Sequence, residues 1–192
     1  MEDNNLPLKL FLKLISFTVI LIILAIYAYS SFDRFFEKYE INTIISNIKT
    51  IRSAADSFYS DTSTLPCTKS GGWGKDPGFI KQITLSNCWP EEEGCAKGCT
   101  NIAGWKGPYL DKWPLGHWLQ GGGWKYNWNR YDNYGGCSGI TGVITLQIFQ
   151  AVSQRSLEII DKIMDDGNLS SGNIFLEEGG RYLQILKCYR RT

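Results

Sequence analysis

The sequence is poor in histidine and in net charge. His117 is the only histidine among 192 residues, and 20 basic residues almost balance 19 acidic ones, which leaves a net charge of +1. A chain without an excess of positive charge or a basic stripe lacks the electrostatic footprint of nucleic-acid binding. The lone histidine has no serine or cysteine nucleophile signature beside it, which argues against an enzyme. We therefore expect no catalytic residue, no nucleic-acid partner and no small-molecule substrate.

Cysteine is missing from the first 66 residues and occurs six times after them. An even number of cysteines is typical of a disulfide framework in an oxidising compartment. Zinc binding is one alternative, because Cys95 and Cys99 have ligand-like spacing near Cys88, although no second pair does, and free thiols are the other. Six cysteines allow fifteen connectivities, of which we favour the ones that join Cys137 to Cys188. The candidates for disulfide bonds are Cys67, Cys88, Cys95, Cys99, Cys137 and Cys188.

Charged residues are also missing between Lys13 and Asp33, where the sequence reads LISFTVILIILAIYAYSSF. A helix of about nineteen residues is just long enough to cross the hydrocarbon core of a bilayer. A cleaved secretory signal is the alternative, but its apolar region is shorter and ends in small residues, which AYS matches poorly. We predict an uncleaved span over 14–32. The residues that we expect to face lipid or a neighbouring helix are Phe17, Leu21, Ile22, Leu24 and Ile26.

Lysine and arginine do not orient this span, because two of them flank it on each side. The cysteines place the C-terminal part outside the cytoplasm, where disulfides persist. We therefore expect a single-pass cell-membrane protein with a periplasmic or extracellular head. The domains on this interpretation are a cytoplasmic segment (1–13), a transmembrane helix (14–32), an amphipathic helical extension (33–65) and a disulfide-stapled head (66–192).

The helix is predicted to continue beyond the membrane. No glycine or proline occurs from Leu8 to Thr64, and Pro66 then ends the pattern. Apolar residues recur at three- and four-residue steps, which indicates one apolar stripe. A continuous helix over 8–63 would be about 80 Å long. The residues of the stripe are Ile41, Ile44, Ile45, Ile48, Ile51, Ala55, Phe58 and Tyr59.

The remaining chain predicts an α+β head in which a small antiparallel sheet packs against this stripe. Alternating or β-branched runs indicate strands at 124–131 and 142–149. Helical spacing over 151–164 ends at the turn signal DDGN. Two further strands, at 173–178 and 181–189, are joined through Gly179 and Gly180 as a hairpin.

The order of these segments resembles the pseudopilins of type II secretion systems and the related type IV pilins. The resemblance is carried by IKTIRSAADSFYSDTSTLPC (48–67), by W-x-GPYL-x-x-WP (105–114) and by IIDKIMDDGNLSSGNI (159–174). The chain departs from the family at the peptidase site, where Ser16–Phe17 replaces Gly–Phe. It also has Leu21 in place of the glutamate at the fifth mature position, and LGHW (115–118) in place of DPWG.

This resemblance implies a pilin-like structural subunit that assembles through its N-terminal helix with itself or with related subunits, within a secretion or pilus filament. It also implies that the aromatic loop GWKGPYLDKWPLGHW (104–118) joins the long helix to the sheet as local core. The alternative is a non-assembling, membrane-anchored binding protein that uses the aromatic loop to hold a sugar or a peptide. Cleavage at Ser16–Phe17 and an uncleaved chain remain open.

One cofactor hypothesis comes from the stretch DDGNLSSG (165–172). Asp165, Asp166 and Asn168 bring three oxygen-bearing side chains together, and calcium takes six to eight oxygen ligands. The spacing is not that of an EF-hand loop. The alternative is a helix stop followed by an Asx turn, with Gly167 in the left-handed conformation. We expect no other cofactor.

Overall fold

The computed structural model confirms an α+β fold. It describes residues 6–66, 77–82, 102–114, 116, 118–119, 122–132, 134, 137–149, 152–177 and 179–189. Its elements, in chain order, are α1 (Leu6–Thr62), β1 (Trp118–Leu119), β2 (Gly122–Asp132), β3 (Ile140–Phe149), α2 (Gln154–Met164), β4 (Ile174–Glu177) and β5 (Tyr182–Tyr189).

Helix α1 is continuous over 57 residues, as the absence of glycine and proline after its first turn predicts. It ends at Thr62, four residues before Pro66, because Ser63 takes a positive φ of 54°. The N–H of Ser63 still donates to the carbonyl oxygen of Tyr59 at 2.8 Å, and the Thr62 hydroxyl donates to that of Phe58. These bonds satisfy carbonyl groups that a helix end would otherwise leave without donors.

The chain forms two compact units, Met1–Asn42 and Thr43–Thr192. The described part of the first unit is the N-terminal part of α1. The second unit contains the rest of α1, the sheet and α2. The boundary between the units falls inside the segment 33–65 that the sequence marks as the amphipathic extension.

The sheet is antiparallel throughout, with the strand order β1-β2-β3-β5-β4. Its central row pairs Trp128 with Ile144, Ile144 with Ile185, and Ile185 with Ile174. The four longer strands match the four predicted ones to within two residues at each end. The short edge strand β1 was not predicted. Gly179 and Gly180 both have positive φ, which the predicted β4–β5 hairpin requires.

The core of the second unit lies between the apolar stripe of α1 and one face of the sheet. Asn47 donates to the hydroxyl of Tyr126 at 3.1 Å, and Arg52 donates to the carbonyl oxygen of Leu186 at 3.1 Å. Alternate residues of each strand point to the same face. The fully or almost fully buried side chains of this core include Ile44, Ile48, Ile51, Phe58, Tyr126, Trp128, Ile144, Leu146, Leu183 and Ile185.

A polar cluster also joins α1 to β5. The carboxylate of Asp56 accepts from Lys187 Nζ at 2.6 Å and from the Tyr189 hydroxyl at 3.0 Å. The ring of Tyr59 lies 4.8 Å from that of Tyr189, centroid to centroid. Since Lys187 and Asp56 are each more than one-third exposed, the ion pair itself adds little stability, and its role is to orient the helix on the strand.

Candidate functional site: apolar helix, aromatic loop and acidic turn

The N-terminal part of α1 exposes an unusual amount of apolar surface. The five residues predicted to face lipid or a partner are all exposed, with exposed fractions of 50% (Leu21) to 62% (Ile26). In the described part of the chain, α1 is the one helix long and apolar enough to cross a membrane, and none of its most apolar window is buried. An exposed apolar surface of this extent on the N-terminal part of α1 marks a site of contact with a membrane or with another protein. The five residues are Phe17, Leu21, Ile22, Leu24 and Ile26.

Aromatic side chains are concentrated at the C-terminal end of this apolar stretch, where the first charged residues occur. Phe32 and Phe36 contact each other edge to face, with ring centroids 4.5 Å apart. Tyrosine and tryptophan concentrate where a membrane meets water, because each combines an apolar ring with a polar group, and three tyrosines occur in this stretch. The six aromatic side chains of the stretch are all at least half exposed: Tyr27, Tyr29, Phe32, Phe35, Phe36 and Tyr39.

The aromatic loop packs against the C-terminal end of α1. Tyr109 of the loop lies 5.3 Å from Phe58 of α1, ring centroid to ring centroid. Phe79, which precedes the loop, contacts Phe58 edge to face at 5.8 Å, Trp128 of β2 at 5.1 Å and the stacked ring of Trp113 at 6.4 Å. Leu110 and Trp113 are buried, which confirms the prediction of local core for these two residues. Leu115 and His117 lie outside the described residues.

Hydrogen bonds fix the same loop to the helix. The carboxylate of Asp61 accepts from Lys106 Nζ at 3.0 Å and from the Tyr109 hydroxyl at 3.1 Å. The bond from Lys106, followed by that from Tyr109, lowers the pKa of Asp61, whereas burial raises the pKa of Tyr109. The indole Nε1 of Trp105 donates to the carbonyl oxygen of Gly78 at 3.2 Å. These hydrogen bonds therefore hold the loop in place beside the end of α1, which is a structural role.

The structure joins Cys137 to Cys188 in a disulfide with a Cα–Cα distance of 5.6 Å. This confirms the favoured pairing. The bond ties the segment before β3 to β5, and it forms because β5 pairs directly with β3 and places Cys188 opposite Thr141. The other four cysteines, and with them the zinc alternative, lie outside the described residues: Cys67, Cys88, Cys95 and Cys99.

The acidic turn is the segment from Asp161, near the end of α2, to Ile174, at the start of β4. Asp165 caps β4: its Oδ2 accepts from the backbone N–H of Asn173 at 2.5 Å and of Ile174 at 3.0 Å. Asp166 Oδ1 accepts from the N–H of Asn168 at 2.8 Å, and Gly167 has a φ of 81°. The helix stop with an Asx turn is therefore present, as one of the two sequence hypotheses predicts.

Asp161 joins these residues and was not singled out from the sequence. Carboxylate oxygens of Asp161, Asp165 and Asp166 lie within 4.8 Å of one another. Asp161 is 0% exposed, and neither of its oxygens has a hydrogen-bond partner among the described residues. Asn168 instead accepts from the N–H of Ser170 at 3.2 Å. The available signal was the four-residue spacing from Asp161 to Asp165, which brings both to one side of a helix.

Burial, and then the negative charges of Asp166 and Asp165, raise the pKa of Asp161 to about 6. The N–H of Gly167 faces this carboxyl group from outside hydrogen-bonding geometry and lowers the pKa only in part. The pKa of Asp165 is shifted in the opposite direction. Burial raises its pKa, but the hydrogen bonds from Asn173 and Ile174, with the charge of Arg52, produce a net lowering.

The pKa of Asp161 predicts a pH dependence of stability in buffer without divalent cations. Because this pKa is raised in the folded state, its stabilising contribution is present below pH 4 and is lost as the pH rises to about 6. We expect Asp161→Asn to lose less stability than the wild type between pH 4 and 6. Urea unfolding at a series of pH values measures this, with Glu158→Gln on the same helix as the control. Parallel curves for wild type and Asp161→Asn would contradict the assignment.

No protein-family model, curated protein or solved structure matches this chain.

Proposed function

We propose that this chain is a pilin-like structural subunit, anchored in a membrane by α1 and assembling through the N-terminal part of that helix with copies of itself or with related subunits. One observation carries the proposal. The same helix is apolar and largely exposed over 14–32 but is buried on one side by its own head from Ile44 onwards.

The exposed part of α1 has no polar side. Successive helical residues point about 100° apart, so the run from Val19 to Leu24 covers the whole circumference of the helix. Each of these six residues is about half exposed or more. A surface of this kind suits lipid in a single subunit, and it suits neighbouring apolar helices in an assembly.

The disulfide supports a head outside the cytoplasm. A bond such as Cys137–Cys188 persists in oxidising compartments and is rare where thiols are kept reduced. The proposed topology therefore has residues 1–13 in the cytoplasm, α1 crossing the membrane over 14–32, and the second unit in the periplasm or at the cell surface. The aromatic side chains from Tyr27 to Tyr39 suit the interface at which α1 leaves the lipid.

A second candidate function is a membrane-anchored binding protein that does not assemble. One observation favours it: the segment 14–32 contains no charged residue, and Leu21 stands where the resembled family has glutamate. Apolar helices are no better solvated by each other than by lipid tails, so polar groups or close backbone packing usually direct their association.

Photocrosslinking in membranes tests the two functions. A photoreactive amino acid at Leu24 of the full-length protein is expected to give a ladder of adducts. Mass spectrometry should find in them this chain or a second protein with a similar N-terminal helix. The matched control places the same group at Ile163, which is 57% exposed on α2. Labelling of lipid alone at Leu24 would contradict assembly through α1 and favour the anchored binding protein.

A further inference from the structure

We propose that the acidic turn binds a calcium ion, with Asp161, Asp165 and Asp166 as its carboxylate ligands. This site differs from the set suggested by the sequence, because Asp161 takes the place of Asn168. It is also independent of the proposed assembly, since every ligand belongs to the second unit.

Asp161 lies in surroundings that favour a bound cation. Its side chain is completely buried, and no described donor satisfies either oxygen. Buried polar atoms in proteins nearly always have a partner, and a buried carboxylate without one is strongly unfavourable. The charge of Arg52 acts on Asp165, its Nη2 donates to Leu186, and no cationic side chain is among the groups that shift the pKa of Asp161. A bound cation would supply the missing partner of Asp161.

The distances between the three carboxylates also fit a calcium ion. Calcium binds oxygen at about 2.3–2.6 Å, so two ligand atoms on one ion lie at most about 5 Å apart. Oxygens of the three carboxylates lie within 4.8 Å of one another. The helical spacing from Asp161 to Asp165 and the immediate sequence neighbour Asp166 maintain this convergence. Three carboxylates without nitrogen or sulfur ligands favour a hard cation over zinc or copper.

The hydrogen bonds of the turn leave carboxylate lone pairs available for coordination. Asp166 Oδ1 accepts one bond from Asn168 N–H, and Oδ2 accepts one from the Ser171 hydroxyl. Asp165 Oδ1 accepts one bond, from the Asn173 side chain. Each of these oxygens therefore keeps a second lone pair. Water or main-chain carbonyl groups would complete the six to eight ligands that calcium takes.

Gly172 holds the loop against the pair of carboxylates. It has a φ of 82°, and a side chain at this position would overlap the carboxylate of Asp165 and crowd that of Asp166. An ion here would join the end of α2 to the start of β4, because Asp165 already caps Asn173 and Ile174. Calcium would then strengthen the connection between the helix and the edge strand of the sheet.

Thermal unfolding of the full-length protein in detergent tests the site. Calcium chloride at about one hundred times its dissociation constant is expected to raise the Tm by about 5–10 °C relative to EGTA. Magnesium chloride serves as the comparator, and a smaller shift is expected because magnesium gives up its bound water reluctantly. Asp161→Asn keeps the size of the side chain but should lose most of the calcium shift. Glu158→Gln, one turn earlier on the exposed side of α2, should keep it.

Two outcomes would overturn the proposal. One is a wild-type Tm that does not move up to millimolar calcium. The other is a calcium shift that Asp161→Asn retains in full, which would place the ion elsewhere. If Asp161→Asn does not fold, Asp166→Asn replaces it, because Asp166 is exposed. Isothermal titration calorimetry should then show calcium binding weakened by at least about tenfold through the loss of one charged ligand, and unchanged affinity would overturn the proposal.

Discussion

The Leu21→Arg variant is expected to lose stable membrane insertion. Leu21 lies near the middle of the uncharged segment 14–32 and is 50% exposed. An arginine at this position would therefore place its charge in the lipid or against a neighbouring helix. On insertion scales the change from leucine to arginine at a helix centre costs about 3 kcal/mol, because the charge must be taken into hydrocarbon. Alkaline extraction of membranes, followed by quantification of the pellet and the supernatant, measures the result.

Two variants control this experiment. Leu21→Ala keeps the helix uncharged and should remain in the membrane fraction. Ser53→Arg puts the same charge on an exposed position of α1 in the second unit, where it should have no effect on insertion. If Leu21→Arg fractionates like both controls and also keeps the crosslinked ladder from Leu24, then 14–32 does not span the membrane. If it inserts normally but the crosslinked ladder from Leu24 disappears, the same residue is required for assembly instead.

The sequence predicted most of the fold because its local signals are strong and mutually consistent. Helix α1 follows from a long run without glycine or proline, and β2, β3 and β5 follow from alternation and β-branched residues. Helix α2 begins at Gln154, three residues later than predicted, because Ser153 caps it and accepts from the N–H of Ser156 at 3.0 Å. The capping chemistry was present in the sequence.

Other features could not be predicted because they depend on contacts distant in sequence. Strand β1 has two residues and exists through its pairing with Gly122 and Gly123, so no local period indicates it. The position of β5 between β3 and β4 also depends on how the chain returns after α2. Asp161 lies on the buried face of α2 with Leu157 and Ile160, and its approach to Asp165 and Asp166 depends on the turn after the helix, which the helical period does not predict.

The Phe58→Ala variant is expected to lose about 3–5 kcal/mol of the free energy of unfolding, the usual cost of removing a large aromatic side chain from a core. Phe58 is 0% exposed, and its ring contacts those of Phe79 at 5.8 Å and Tyr109 at 5.3 Å, so the change leaves a cavity and removes both contacts. Urea unfolding followed by tryptophan fluorescence measures the loss, because Trp105 and Trp113 belong to the aromatic loop that packs against this end of α1.

The controls for Phe58→Ala also decide what the aromatic loop does. Ser57→Ala, at the exposed neighbouring position, should change stability by no more than about 0.5 kcal/mol, and Phe58→Leu should lose less than Phe58→Ala because it leaves a smaller cavity. If the loop is local core, Phe58→Ala should also expose the tryptophans, with a red-shifted emission of the folded state. A loss below about 1 kcal/mol with unchanged emission would mean that the loop does not depend on the helix. In that case the aromatic residues would be free to form the ligand-binding surface of the alternative function.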